Sequence, residues 1–197
     1  MNASAAAPTP PRQTILFTGH MVDAPDRATP RFPPARVEAA ARRIAAALDD
    51  IGAGPEDLAL TQGAAGGDLL FAEACLARGV PLRLLLPLGQ SEFVAASLLP
   101  VTDGAAWHAR FRAVVDRLAE PPREAPVVLG PLAPGDNAFV RANLWLLESA
   151  LAFGADKLVC ICLWDGGGGD GPGGTRHLVD AVRGAGGRVV RIDSASL

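Results

Sequence analysis

The stretch KLVCICLW, residues 157 to 164, is apolar almost throughout and stands between a helical pattern and a glycine-rich loop. A strand with one wet face alternates polar and apolar residues, so a run without alternation is covered on both faces. Further strands read as TILFTG (14 to 19), DLALT (57 to 61) and PLRLLLP (81 to 87), with RVVRID (188 to 193) as the last. Helical spacing fills the gaps between them. PPARVEAAARRIAAALDDIG (33 to 52) opens on prolines, sets Val37, Ala41, Ile44 and Leu48 three or four residues apart, and stops at a glycine. DLLFAEACLARG (68 to 79) and the segment beginning TRHLVDAV at Thr175 read the same way. Buried strands alternating with helices require a parallel sheet with helices on both faces, a three-layer Rossmann-like α/β fold.

The middle of the chain is less regular. SEFVAASLL (91 to 99) and AWHARFRAVVDRLAE (106 to 120) read as helices, the latter with Phe111, Val114, Val115 and Leu118 as core. APVVLG (125 to 130) reads as a short strand, and the order of strands between about 100 and 130 stays open. DNAFVRANLWLLESALAFG (136 to 154) reads as a helix capped by Asp136, with an apolar stripe through Val140, Leu144, Leu147 and Leu151. The Ala- and Pro-rich residues 1 to 13 read as a disordered tail, which leaves 14 to 197 as one domain, an ordinary size for a single core.

Composition removes several function classes. A net charge of -3 with scattered arginines leaves no basic stripe for nucleic acid. Three cysteines without CxxC spacing do not make a disulfide framework, and Cys160 and Cys162 fall on one buried side of their strand. Neither a leader pattern nor an 18-residue apolar run is visible, so a soluble, cytoplasmic protein without membrane partners is expected. Nor is there an H-E-x-x-H or G-x-S-x-G pattern, and the three histidines lie far apart, so no metal cofactor is expected.

In open parallel sheets ligands bind beyond the carboxyl ends of the strands. Three loops leave strands there: TGHMVD (18 to 23), GAAGGD (63 to 68) and DGGGGDGPGGT (165 to 175). Glycines let a backbone approach a ligand closely, and the helix that follows offers unpaired N–H groups. The second loop, with Gly63, Gly66 and Gly67, lacks the G-x-G-x-x-G spacing of a dinucleotide site. It is no Walker loop either, because the only lysine in the chain is Lys157. Its Asp68 would repel an anion at the helix start and suits ribose hydroxyls; the plainer alternative is a tight turn with Asp68 as helix cap. In the third loop Gly173, Gly174 and Thr175 make the better phosphate cradle, with Asp170 expected to point away. A glycine-rich insertion with no ligand is the alternative there.

Taken in order, ILFTGH, LTQGAAGGDLLFAEACLARGVPLRLLLPL, KLVCICLWDG and GPGGTRHLVDAVRGAGGRVVRID resemble the SLOG superfamily, Rossmann-like domains related to the lysine-decarboxylase-like cytokinin phosphoribohydrolases. The resemblance implies a nucleotide or nucleotide-derived ligand. By motif, its phosphate falls on Gly173, Gly174 and Thr175, and its ribose or base near Gly66, Gly67, Asp68, Thr18 and Gly19. Trp164 and Asp165 match the pair that precedes the GGT loop in these relatives. His20 belongs to the first loop, either as a ligand contact or as a packed or solvated histidine.

The phosphoribohydrolases carry P-G-G-x-G-T-x-x-E, whose glutamate serves hydrolysis of the N-glycosidic bond. Here Thr175 follows Gly174 directly, and three residues after it stands Leu178, which cannot transfer a proton. His177 occupies the position where SLOG-type relatives often have an acidic residue. Candidate catalytic groups reduce to Asp68, Asp165, Asp136 and His177. Asn137 and Arg141 share a helix face, and Arg141 either reaches a phosphate or lies in solvent. The expected function is a nucleotide-reading module that needs no cofactor beyond that ligand. A nucleoside 5'-monophosphate phosphoribohydrolase and a non-catalytic interaction module are the alternatives, and homo-oligomerisation stays open.

Overall fold

The computed structural model describes residues 9 to 168 and 171 to 197. Six strands form one sheet: β1 (Thr14–Gly19), β2 (Leu58–Thr61), β3 (Leu82–Leu86), β4 (Arg123–Glu124), β5 (Leu158–Leu163) and β6 (Arg188–Ile192). All pairs are parallel and the order is β4-β3-β2-β1-β5-β6. Parallel neighbours need crossovers. These are supplied by α1 (Val37–Asp50), α2 (Gly67–Ala77), α3 (Gln90–Ser97), α4 (Gly104–Val115), α5 (Ala125–Val128), α6 (Ala138–Leu151) and α7 (Thr175–Gly184).

Side-chain alternation along β1 divides the core. Ile15 and Phe17 point into a cluster with Ile44, Leu48, Leu69 and Phe71 of α1 and α2. Leu16 points to the other side, against Trp145, Leu146, Leu178 and Val182 of α6 and α7. β5 does the same with Ile161 and Leu163 against Cys160 and Cys162, so its run of six buried residues is explained by helices on both faces. All three cysteines are buried and free, and burial pushes the Cys162 thiol up to about 11. No helix among the described residues is long and apolar enough to cross a membrane.

Three expectations are corrected. APVVLG is not a strand: Pro126 sits in the first turn of α5, where its missing N–H costs nothing, and Val127, Val128 and Leu129 are exposed. The strand that pairs with β3 is the preceding Arg123–Glu124. The cap of α6 is Asn137, not Asp136: its Oδ1 accepts from the N–H groups of Phe139 and Val140 at 2.9 and 3.1 Å. The buried face of α6 is likewise shifted, with Leu144 exposed and Trp145, Leu146 and Leu147 inside. At the end of the segment read as a tail, Pro11 and Arg12 bond to the body. Arg12 forks onto both oxygens of Asp57 at 3.0 and 2.7 Å, and Lys157 donates to the Pro11 carbonyl at 3.0 Å. Residues 1 to 8 lie outside the described residues.

Candidate functional site

The chain leaves β1 toward α1 on one face of the sheet and leaves neighbouring β5 toward α7 on the other. Where adjacent strands send their connections to opposite faces, the sheet opens into a crevice at its carboxyl edge. A cavity of about 380 Å³ occupies this position. Its walls come from the segment after β1, the end of β2, the end of α3, the first turns of α6 and the Gly171–Thr175 turn.

The segment after β1 is pinned at both ends. Asp23 is buried and its carboxylate accepts from the N–H groups of Arg31 and Phe32, while its own N–H donates to the Phe32 carbonyl at 3.0 Å. The loop so closed brings Arg27 and Arg31 to the cavity wall, with Arg27 3.4 Å from Asp23. Neither arginine stood out in the sequence. The signal is the two aspartates with prolines and two arginines four apart in DAPDRATPR, which marks a compact turn without saying where it folds back.

His20 is buried rather than solvated. Its Nε2 lies 3.3 Å from both the Asp165 N–H nitrogen and Asp165 Oδ1, and burial holds its pKa below the ordinary 6.5. The imidazole thereby lines the cavity while anchoring the start of the loop after β5. Asp165 itself turns away from the cavity: its Oδ1 accepts from Gly167 N–H at 2.8 Å. Burial pushes its carboxyl upward, but that bond and His20 outweigh it and leave the pKa below the usual range.

Asp68 does not cap α2, whose N-cap is Gly66 without any side-chain bond. Its Oδ2 folds back to accept from the N–H groups of Gly63 and Ala64 at 3.1 and 3.3 Å. Burial raises its pKa to about 6 against those bonds, so near neutrality part of the population is uncharged. Among the described residues it is the one carboxylate lining the cavity.

The Gly171–Thr175 turn is fastened by Asn143 of α6. Its Nδ2 donates to the Gly173 carbonyl at 2.7 Å, and its Oδ1 accepts from Gln62 Nε2 at 2.9 Å. Gly173 has φ +86°, and a Cβ there would lie 2.7 Å from that of Phe139, so it meets α6 rather than open space. Gly174 differs. Its φ is -74° and the nearest atom to an added Cβ is the Gly171 carbonyl oxygen at 3.4 Å. No side chain caps α7, and the buried Thr175 hydroxyl at its first turn has no hydrogen bond among the described residues.

Of the residues singled out in the sequence, Thr18, Gly19, His20, Asp68, Gly173, Gly174 and Thr175 come together on the cavity wall. Gly63, Gly66, Gly67, Asp165, Arg141, His177 and Asp136 are not on it. Arg141 donates to the carbonyls of Gly130 and Pro131, and His177 Nδ1 stands 3.4 Å from Asn143 Nδ2. Asp170 lies outside the described residues. Missed by the sequence, besides the two arginines, are Gln62, Asn143 and the buried Ser97. The apolar wall of Met21, Val22 and Val101 was missed as well. No protein-family model matches the chain, and no curated protein matches its sequence.

Proposed function

We propose that the protein binds a nucleotide or nucleotide-like metabolite in this crevice and acts as a ligand-reading module of SLOG type. The observation that carries the reading is the pairing, in one cavity, of an α7 N-terminus and a Thr175 hydroxyl that have no side-chain cap or partner among the described residues with an apolar wall of Met21, Val22 and Val101. Open first-turn amides and a free hydroxyl suit a phosphate, and an apolar wall suits the face of a base. The size, about 380 Å³, lies within the roughly 300 to 1,000 Å³ typical of small-molecule sites.

The test is equilibrium binding of the four ribonucleoside 5'-monophosphates to the intact protein and to a Thr175→Val/Gly174→Ala variant. Both replacements fit the backbone, so the variant should melt like the wild type yet lose binding. Retained binding in the variant would assign the phosphate elsewhere.

A second reading, hydrolysis of a nucleotide N-glycosidic bond, is favoured by Asp68 alone. A cavity carboxyl with a pKa of about 6 can give or take a proton near neutrality. Against it, Leu178 lines the same cavity and is buried, so α7 brings an apolar side chain rather than a carboxylate. Free base released by the wild type and lost on Asp68→Asn would favour the hydrolase; intact ligand recovered after incubation favours the reading module.

A further inference from the structure

A chain of hydrogen bonds starts at the Gly171–Thr175 turn and ends on the cavity wall at β2. Its middle member is the buried Asn143 of α6. The direction of every bond follows from one end. The Gly173 carbonyl can only accept, so the Asn143 atom 2.7 Å from it is the donating Nδ2. His177 Nδ1, 3.4 Å from the same nitrogen, is placed to accept its second hydrogen. Asn143 Oδ1 is thereby turned toward Gln62, and only the donating Nε2 of Gln62 can meet it, at 2.9 Å. Gln62 keeps its acceptor for the cavity that it lines: its Oε1 has no donor among the described residues. The backbone just after it is fixed as well, because the N–H groups of Gly63 and Ala64 donate to Asp68 Oδ2. A backbone carbonyl of the turn thus dictates, two side chains away, that Gln62 offers a ligand an acceptor and no donor.

A nucleotide carries donors of two kinds, the hydroxyls of its sugar and the N–H groups on the edge of its base. Position separates them. Gln62 is bonded to the same asparagine that fastens the turn assigned to the phosphate, so it meets the part of the ligand next to the phosphate, which is the sugar. The base, farther along, falls to the wall of Met21, Val22 and Val101. Resting on the nucleotide reading above, we infer that Gln62 is the residue that reads the sugar. Its Oε1 accepts a hydrogen bond from a ribose hydroxyl, and the site takes ribonucleotides in preference to deoxyribonucleotides whatever the base. Asn143 is a positioning residue for both contacts, holding the turn with Nδ2 and Gln62 with Oδ1. Because Gln62 is oriented before the ligand arrives, little ordering cost is left for binding.

The experiment compares the four ribonucleoside 5'-monophosphates with their 2'-deoxy and 3'-deoxy counterparts by titration calorimetry on the intact protein. Removing the hydroxyl that meets Gln62 should weaken binding roughly 3- to 10-fold, the range for one neutral hydrogen bond, and to a similar extent for every base that binds. Gln62→Met, close in length but without an amide, should bring the ribonucleotide down to the affinity of its deoxy analogue while the analogue still binds. A merely structural role would weaken both alike and keep their ratio. Gln62 is half-buried, so the variant should melt with the wild type, and Gln62→Ala repeats the comparison with a smaller side chain. Equal affinities of the ribonucleotide and both deoxy analogues in the wild type overturn the inference and leave the nucleotide reading standing. A preference that survives both replacements overturns the assignment to Gln62. Binding of no nucleotide to folded wild-type protein overturns this inference and the nucleotide reading together.

Discussion

The loops Gly63–Gly67 and Gly171–Thr175 look alike as sequence, each glycine-rich, each leading from a strand into a helix, yet they use glycine for different ends. In the first, the missing side chains make room for protein. A Cβ on Gly66 would lie 2.8 Å from the His20 carbonyl oxygen and from the Val22 N–H nitrogen, and one on Gly67 would lie 3.0 Å from the Phe17 ring. Backbone bonds seal that contact, Val22 N–H to the Ala65 carbonyl and Gly67 N–H to the His20 carbonyl, each at 3.1 Å. In the second loop Gly173 also packs against protein, but Gly174 faces space and the helix beyond it is uncapped. A glycine is therefore informative about a ligand only when nothing of the chain itself stands where its side chain would go.

The contrast can be broken most forcefully at Gly66. Its φ of +112° excludes most side chains and its Cβ position is occupied, so Gly66→Ala should cost about 4 kcal/mol, combining backbone strain with overpacking. Denaturant unfolding measures it; a loss below about 1 kcal/mol would mean that the loop is slack and available to a ligand after all.

Asp68 gives a smaller, pH-dependent effect. With its pKa raised to about 6, the folded protein keeps a proton that the unfolded chain releases near 3.8, so this group stabilises the fold as pH falls through that window and destabilises it above. Asp68→Asn should raise stability at pH 8 by up to about 3 kcal/mol, with the advantage fading between pH 6 and 4. His20 acts with the opposite sign: its lowered pKa makes the fold lose stability as pH drops below 6.5. A stability profile of the variant parallel to that of the wild type across this range would remove the buried charge from Asp68.

The smallest effect belongs to Gly174→Ala, which should change stability by less than about 1 kcal/mol because φ is already -74° and a Cβ finds ordinary contact. Thermal melting resolves this. A drop comparable with that at Gly66 would erase the difference between the loops.

The strands were legible because burial on both faces writes itself into composition: TILFTG is β1 residue for residue, and KLVCICLW contains β5 whole. APVVLG misled because its valines are apolar but exposed, and no sheet partner reaches them. In α6 the leucine at 144 fits the helical stripe yet lies outside, since the tryptophan beside it takes the place against Leu16 and Leu85. For the site, the glycines and Thr175 carried a local signal. Arg27, Arg31 and Asn143 did not, because each reaches the crevice through a turn or a crossover whose destination depends on the assembled sheet.

One pairing has a consequence for how the molecule is made. β1 lies between β2 and β5, and its partner residues on one side, Leu158–Leu163, follow it in the chain only after β2, β3 and β4. Until they leave the ribosome, an apolar strand edge in the middle of the future sheet stands uncovered, a template for the wrong chain. The cost of placing the crevice at this junction is borne during synthesis, by a nascent chain that must keep one edge of β1 unpaired until β5 emerges.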